Sequence, residues 1–460
     1  MKRDISRVFD AWLDGQERKP LVLRGARQVG KTWLVRDLCA RAGRDLVEVN
    51  FERDPRTRRH FEANDPQKIL AELAFALGHE ITPAGNLLFL DEIQAAPEVL
   101  AKLRWFCEEL PALPVVAAGS LMDLSLGQRA FGVPVGRIRY LHVEPMGFLE
   151  YLQAHDQARL WQTLAAWRPG SQLSPAAHEQ ATTWFHRYGM VGGMPAVVRA
   201  DVEKREARAC RELQRDLLAT YRDDFAKYSG RMDRSILDAT LAAVAHSLGR
   251  KFVYARVDQA VKQHQAKHAL DLLAGARLCQ VVRHSAANGL PLGGESKDNL
   301  RKALLLDVGL LHALLGTPAL HGFPEWRALA PQLRGQMAEQ LVGQQLRLLD
   351  EPDGDGPSLY YWQREGGRPG EIDYLIQLGG RIVPVETKSG SVGSMKSLHQ
   401  FMFEKHLDLA VRVDDNPPSV FTVDLKTTQG DPVKYRLLSL PPYLIWLLPA
   451  AVETMRASGG

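Results

Sequence analysis

The strongest chemical signal in this sequence is a glycine-rich run suited to binding phosphate groups. Residues 25–32 read GARQVGKT and fit the pattern G-x-x-x-x-G-K-[ST] in full. The glycines allow a tight turn that directs backbone N–H groups at phosphate oxygens, while Lys31 would contact the β- and γ-phosphates and Thr32 would ligate Mg²⁺. The run predicts a site for ATP and Mg²⁺ made by Gly25, Ala26, Arg27, Gln28, Val29, Gly30, Lys31, Thr32 and Trp33.

A second signal is a pair of carboxylates that follows an apolar run. Residues 87–92 read LLFLDE, which predicts a buried parallel strand ending in Asp91 and Glu92. In an open α/β sheet the carboxyl end of such a strand lies beside the phosphate-binding loop. Asp91 would hold the Mg²⁺ ion, and Glu92 would position or activate the attacking water as a catalytic residue. The alternative is a strand that ends in a helix-capping Asp, and the loop upstream favours the catalytic interpretation.

Two more polar residues follow predicted strands in this part of the chain. Ser120 ends the run PVVAAGS (114–120), which predicts a buried strand, and is a candidate to contact the γ-phosphate, or it is a serine that starts a loop or caps a helix. Arg137 precedes the predicted strand 140–143. It is a candidate catalytic residue that stabilises transition-state charge, in cis or from a neighbouring subunit, or it is a structural ion-pair partner.

A further group of acidic and basic residues lies near the C-terminal end. Asp373 is in a predicted strand, a Gly379-Gly380 turn follows, and Glu386 and Lys388 end the next strand. The hairpin would bring Asp373 close to Glu386, and the period of two puts Glu386 and Lys388 on one face. Two carboxylates can bind Mg²⁺, and the ion would polarise a phosphodiester and acidify the attacking water. Lys388 would stabilise the developing charge. Glu339, on a predicted helix, would complete the metal shell.

The elements that must position these residues divide the chain into segments of different periodicity. Alternating short strands and helices predict an α/β multidomain protein that begins with a parallel sheet. Residues 255–262 and 266–276 predict two helices, and 278–283 and 303–306 predict the strands of a winged helix. The predicted domains are a P-loop NTPase domain (1–155), a helical lid or linker (156–232), a winged-helix-like domain (233–320), an α/β domain (325–425) that resembles restriction endonucleases in its acidic motif, and a tail (426–460).

Composition sets outer limits on function. The chain has 460 residues, a net charge of +4 and four widely separated cysteines. The mild basic excess is compatible with nucleic acid without being diagnostic of it. Separated cysteines argue against a disulfide framework and fit a reducing compartment. The N-terminus lacks the apolar core of a signal peptide, and no apolar run is long enough to span a bilayer. We therefore expect a cytoplasmic protein without a membrane partner.

The motifs together resemble a known family. The runs GARQVGKT, LLFLDE, VVAAGS and GRIRYLHVEPMGFLEY look like the Walker A, Walker B and following elements of bacterial and archaeal AAA+, STAND-like ATPases with a C-terminal domain of unknown function. The C-terminal group is similar to the PD-(D/E)xK nuclease fold, whose signature positions would be occupied by Glu339, Asp373, Glu386 and Lys388. The resemblance implies ATP binding and hydrolysis.

Two functions follow from these expectations. In the first, an ATPase is coupled to a metal-dependent nuclease-like domain that acts on, or is regulated by, nucleic acid such as DNA. In the second, a nucleotide-dependent regulatory switch carries an inactive nuclease-like domain that binds DNA or a protein partner. The sequence favours the first, since all four nuclease positions hold competent residues. It leaves open whether the domain cleaves, what its substrate is, whether the chain forms a homo-oligomer and in which way Arg137 acts.

Overall fold

The computed structural model describes residues 1–15, 18–119, 134, 136–226, 232–319, 322, 323, 325–349, 359–364, 370–390 and 394–457. These residues form two compact units. The first is made mainly of Met1–Glu144, and the second mainly of Pro145–Ala274, Cys279–Asp350 and Pro357–Gly460. None of the helices in this described part of the chain is long and apolar enough to cross a membrane.

The first unit is built on a five-stranded parallel sheet in the order β2-β3-β4-β1-β5. Every residue of β3 and β4 is buried, as expected of a parallel sheet covered by helices on both faces. The predicted α/β sheet is therefore confirmed. Its strands are β1 (Leu21–Arg24), β2 (Asp45–Asn50), β3 (Asn86–Asp91), β4 (Val115–Ala118) and β5 (Arg139–His142), and its helices are α1 (Ser6–Asp14), α2 (Lys31–Ala42), α3 (Pro66–Leu77) and α4 (Pro97–Glu109).

The second unit combines helices with an eight-stranded mixed sheet in the order β12-β13-β11-β10-β9-β8-β6-β7. Its helices are α5 (Phe148–Ala154), α6 (Ala158–Ala166), α7 (Pro175–Val191), α8 (Pro195–Lys204), α9 (Ala207–Ala226), α10 (Arg234–His246), α11 (Gln263–Gly275), α12 (Val308–Leu314), α13 (Pro331–Leu346), α14 (Lys396–Lys405) and α15 (Leu448–Ala457). Its strands are β6 (Cys279–Ser285), β7 (Ser296–Leu305), β8 (Tyr360–Gln363), β9 (Glu371–Leu378), β10 (Arg381–Thr387), β11 (Leu409–Val413), β12 (Ser419–Lys426) and β13 (Pro432–Leu440).

This sheet crosses the boundaries that periodicity suggested. Strand β6 pairs in parallel with β8, where Arg283 lies opposite Tyr360 and His284 opposite Tyr361. One hydrogen-bonded sheet therefore contains strands from three of the predicted segments, which are 233–320, 325–425 and the tail. Hydrogen-bonded strands thus join the two predicted segments in one sheet, and the domain bounds stay a prediction.

The predicted helix over 255–262 is wrong. The chain there makes a short 3-10 turn, Tyr254–Arg256, and the Asp258 side chain then accepts a hydrogen bond from the Ala260 N–H at 2.7 Å. An Asp that bonds its own backbone in this way competes with helix formation. The predicted strand 303–306 is also longer than expected, since β7 begins at Ser296. The winged-helix assignment and the helical lid stay predictions.

A buried ionic cluster holds three helices of the second unit together. Asp201 of α8 is fully buried and accepts hydrogen bonds from the Tyr151 hydroxyl at 2.6 Å and from Arg187 Nη2 at 2.6 Å. His155 Nε2 lies 3.0 Å from the same carboxylate. Burial opposes ionisation of Asp201, but the bonds from His155, Arg187 and Tyr151 outweigh it and lower the pKa of Asp201 to about 2.

We expect Asp201→Ala to lower the free energy of unfolding of this unit by about 3 kcal/mol, because it leaves a part-buried guanidinium without its carboxylate. Urea denaturation would measure the change. Asp223→Ala, which removes a carboxylate that is 78% exposed, is the matched control and should change the free energy of unfolding by less than about 0.5 kcal/mol. Equal losses in the two variants would contradict the structural role of the cluster.

Candidate functional site

The glycine-rich loop of the first unit lies between β1 and α2. Gly30 has a φ of 97° and forms the N-cap of α2, so the helix begins at Lys31 with its N–H groups facing the loop. A Cβ at Gly25 would lie 2.3 Å from the Val143 carbonyl oxygen, which excludes any side chain there. The loop and the N-terminus of α2 together form the kind of anion site that phosphate groups occupy.

The Lys31 side chain is folded back over this loop. Its Nζ donates hydrogen bonds to the carbonyl oxygens of Gly25 at 3.0 Å and Ala26 at 2.9 Å. Burial lowers the pKa of Lys31 to about 8, although the Glu92 and Asp91 carboxylates act in the opposite direction. The ammonium is thus held at the centre of the loop by neutral carbonyl groups, which an anionic phosphate would replace with stronger partners.

Arg3, near the N-terminus, is hydrogen-bonded to the glycine-rich loop. The guanidinium of Arg3 donates to the Val29 carbonyl at 3.0 Å and to the Glu144 carbonyl at 2.7 Å. Arg3 is buried, so these bonds are shielded from water. The bonds tie the glycine-rich loop to the chain that follows β5.

The side chains expected to hold Mg²⁺ meet at the carboxyl end of the sheet. The Thr32 hydroxyl donates to Asp91 Oδ2 at 3.3 Å, and the Asn50 amide donates to the same oxygen at 3.3 Å. Burial, reinforced by the Glu92 carboxylate, raises the pKa of Asp91 to about 6. A buried carboxylate beside a hydroxyl fits a hard cation, so Thr32 and Asp91 would hold Mg²⁺. When bound, that ion would neutralise charge on the phosphate groups.

Glu92 occupies an unusual backbone position next to Asp91. Its φ of 52° and ψ of 45° place it in the left-handed region, which costs about 1 kcal/mol or more for a residue with a side chain. The Gln94 side-chain amide donates to the Glu92 carboxylate. The conformation turns the chain sharply after β3, and the Glu92 carboxylate is near enough to favour the charged form of Lys31 in the loop.

The other residues predicted for this site have mixed surroundings. Arg137 pairs with Glu108 at 2.7 Å and its side chain is 48% exposed, so the structure shows the ion-pair role, and its catalytic role stays a prediction. Gln28 of the loop and Trp33 of α2 are exposed, while Ala26 and Val29 of the loop are buried. Ser120 lies outside the described residues.

In the second unit, the hairpin of β9 and β10 brings together the residues of the acidic site. The register places Val385 opposite Tyr374, so Glu386 and Asp373 are the next pair across the two strands. Asp373 Oδ2 accepts a hydrogen bond from the Thr387 N–H at 2.8 Å. Lys388 Nζ lies 2.6 Å from Glu386 Oε1. The acidic site is defined here as Glu339, Glu371, Asp373, Glu386, Lys388 and Lys302.

Glu386 has an oxygen that fits a cation. Its Oε2 is buried and makes no hydrogen bond. Burial, with the Asp373 carboxylate, raises the pKa of Glu386 to about 8 despite the nearby Lys388. An orphaned buried carboxylate oxygen is costly unless a positive charge reaches it. Asp373 and Glu386 would therefore hold a divalent ion.

Glu339 does not join them as predicted. Lys302 Nζ lies 2.8 Å from Glu339 Oε1 and also pairs with Glu371. Within the described residues, no three His, Cys, Asp or Glu side chains are grouped so that they could hold a metal ion. The expected shell of three carboxylates is not assembled, and the Glu339 carboxylate contacts an ammonium group instead.

Sequence reasoning missed four residues of these sites. Asn50 ends β2 as Asp91 ends β3, and the rule that carboxyl ends of parallel strands meet could have found it. Glu371 lies two residues before Asp373 in one strand, so the period of two was a signal. Arg3 and Lys302 carried no signal, since their partners are distant in the sequence.

The comparisons with known proteins address parts of the chain. A family described as "AAA domain" matches residues 17–152. Families described as domains of unknown function match 182–321 (DUF8612) and 334–417 (DUF4143). The search of curated proteins found no match.

Solved structures give distant likenesses. One is a Walker-type ATPase of Pyrococcus abyssi, with 15% identity, a TM-score of 0.43, and coverage of 68% of this chain and 95% of that chain. Another comes from a study of katanin self-assembly, with 14% identity, a TM-score of 0.22, and coverage of 38% and 59%.

The family match and the loop geometry define the first unit by class. Residues 17–152 carry an AAA domain, and the loop, the strand-end carboxylate and the parallel sheet lie within it. Over these residues the chain is similar to AAA domains, and it has the loop and parallel sheet of a P-loop NTPase fold.

Proposed function

We propose that this protein binds and hydrolyses ATP in its first unit. The observation that carries the proposal is the contact of Thr32 with Asp91, beside a loop whose lysine donates hydrogen bonds to two backbone carbonyls. Lys31 would bind the phosphates, Thr32 and Asp91 would hold Mg²⁺, and Glu92 would orient the attacking water. Arg137 and Ser120 are further proposed contacts of the γ-phosphate.

For the second unit we propose a nuclease-like site controlled by the nucleotide state. The Asp373–Glu386 pair and the orphaned Glu386 oxygen support a divalent ion at this point. The ion, when bound, would polarise a phosphodiester. Lys388 lies close enough to Glu386 to stabilise charge that develops on a phosphate next to it. The proposed substrate is DNA or RNA.

A specific observation favours a second candidate function. Glu339 is bound to Lys302 and the shell of three carboxylates is not assembled. A site of this kind also suits a regulatory switch that binds nucleic acid or a protein partner without cleaving it. A homo-oligomer, in which Arg137 would act on a neighbouring subunit, and a cytoplasmic location are also proposals.

A cleavage assay with the full chain tests these functions. We expect supercoiled plasmid or single-stranded RNA to be cut with Mg²⁺ or Mn²⁺, and Asp373→Ala to abolish cutting while ATP turnover stays within about twofold, since Asp373 is outside the ATPase domain. Asp424→Ala removes an exposed carboxylate of β12 and should change neither activity. If the wild-type protein cuts no substrate, with or without ATP, the switch is the better description.

A further inference from the structure

An ammonium group lies inside the acidic site at a place that no sequence motif indicated. Lys302 is in β7, opposite Val282 of β6, and its side chain is only 3% exposed. Its Nζ contacts Glu339 at 2.8 Å, pairs with Glu371 and lies 5.2 Å from the centre of the Tyr361 ring. A charge buried this deeply is stable only with such partners.

The packing of α13 fixes the distance between this lysine and Glu339. The side-chain amide of Gln340 donates to the Leu305 carbonyl at 2.8 Å and accepts from the Leu305 N–H at 3.0 Å. A Cβ at Gly343 would lie 2.4 Å from the Leu304 side chain, so the helix approaches β7 closely. Glu339 is thus presented to Lys302 by a helix clamped onto the same strand.

The acidic site has one end at Glu386 and another at Glu339, and the two carboxylates differ in whether an oxygen is still available to bind a cation. At one end, Glu386 keeps a buried oxygen without a hydrogen bond. At the other end, the Glu339 carboxylate is bound to Lys302, whose side chain is only 3% exposed, whereas the side chain of Lys388 beside Glu386 is 19% exposed and can turn toward solvent. A divalent ion placed at the second end would meet the positive charge of Lys302 and be repelled by it.

We propose that Lys302 is a resident cation of the acidic site, which holds Glu339 in place of a divalent ion and confines metal binding to Asp373 and Glu386. The inference rests on the acidic site proposed above and does not depend on the ATPase. Lys302 comes from the segment 182–321, whereas Glu339, Asp373 and Glu386 come from the segment 334–417. The proposal makes the first segment part of the site.

Calorimetric titration of the full chain with Mn²⁺ tests this proposal. We expect Glu339→Gln to bind Mn²⁺ within about twofold of the wild-type affinity, and Asp373→Asn to lose binding. Lys302→Met should bind on the order of tenfold more tightly, since a repelling charge is gone and Glu339 is released. Lys297→Met removes an exposed lysine from the same strand and should match the wild type.

The proposal is overturned if Glu339→Gln loses Mn²⁺ as Asp373→Asn does, or if Lys302→Met binds no more tightly than the wild type. If Lys302→Met does not fold, the double variant Lys302→Met/Glu339→Gln is measured in its place, because it keeps the net charge of the site. This variant should bind Mn²⁺ with the wild-type affinity. Loss of Mn²⁺ binding would overturn the proposal. Binding by Lys302→Met but not by the wild type would support the role of Lys302 and count against metal-dependent cleavage. If the wild type binds Mn²⁺ tightly and Lys302→Met leaves the affinity unchanged, the role of Lys302 is contradicted, whereas metal-dependent cleavage is supported.

Discussion

Lys31→Ala is expected to weaken ATP binding by about 100-fold, which is the loss of roughly two strong charge-assisted hydrogen bonds. The Lys31 ammonium donates hydrogen bonds to the carbonyl oxygens of Gly25 and Ala26, which carry no net charge. Exchange of neutral carbonyls for phosphate oxygens is therefore a net gain that alanine cannot supply. Equilibrium binding of a fluorescent ATP analogue would measure the change.

The control for this variant is Lys68→Ala. Lys68 is an exposed residue in the same unit, and its carboxylate neighbour Asp65 lies 4.0 Å away at the surface. Its removal should leave the affinity for ATP within about twofold of the wild type, because exposed pairs contribute little. ATP affinity that Lys31→Ala leaves intact would show that the loop does not bind phosphate.

Glu92→Gln is expected to slow ATP turnover by roughly 100-fold or more while ATP still binds, since general-base residues contribute factors of this size. Glutamine keeps the shape of the side chain and its contact with Gln94, but it cannot accept a proton from water. The left-handed backbone at Glu92 is unchanged by the substitution, so the position of the side chain is retained. Single-turnover hydrolysis and nucleotide binding would be measured on the same preparation.

Glu72→Gln, at an exposed position of α3, serves as the matched control and should hydrolyse ATP at the wild-type rate. Two results would sink the assignment of Glu92. One is turnover by Glu92→Gln at the wild-type rate, and the other is a fall in ATP affinity as large as the fall in turnover, because that would place Glu92 in binding rather than in the chemical step.

Much of the first unit could be predicted because its signals are local. The loop motif specifies its own turn, and the apolar run before Asp91 specifies a buried strand, which extends from Asn86 to Asp91. Since parallel strands present their carboxyl ends at one edge, the approach of Asp91 to Thr32 followed without further information. Asn50 obeys the same rule but ends a strand that carries no recognised motif.

The acidic site shows where such reasoning stops. Asp373, Glu386 and Lys388 belong to one hairpin, and the spacing of the turn places them together. The lysine that binds Glu339 is 37 residues away in the sequence, on a strand that we assigned to another domain. Nothing in the sequence states that the β6–β7 hairpin is added beside β8, because that choice depends on packing between distant elements. The partner of Glu339 therefore could not be predicted.

The shared sheet of the second unit has a consequence for how this protein can be dissected and how it can diverge. A fragment ending near residue 320 would carry β6 and β7, with the backbone groups of β6 that face β8 left unpaired. A fragment beginning near 325 would expose the matching backbone donors and acceptors of β8. Exposed edges of this kind pair with whatever strand they meet, so either fragment would tend to aggregate. The segments 182–321 and 334–417 thus share one sheet, and replacing one without the other would require a new strand to cover β8.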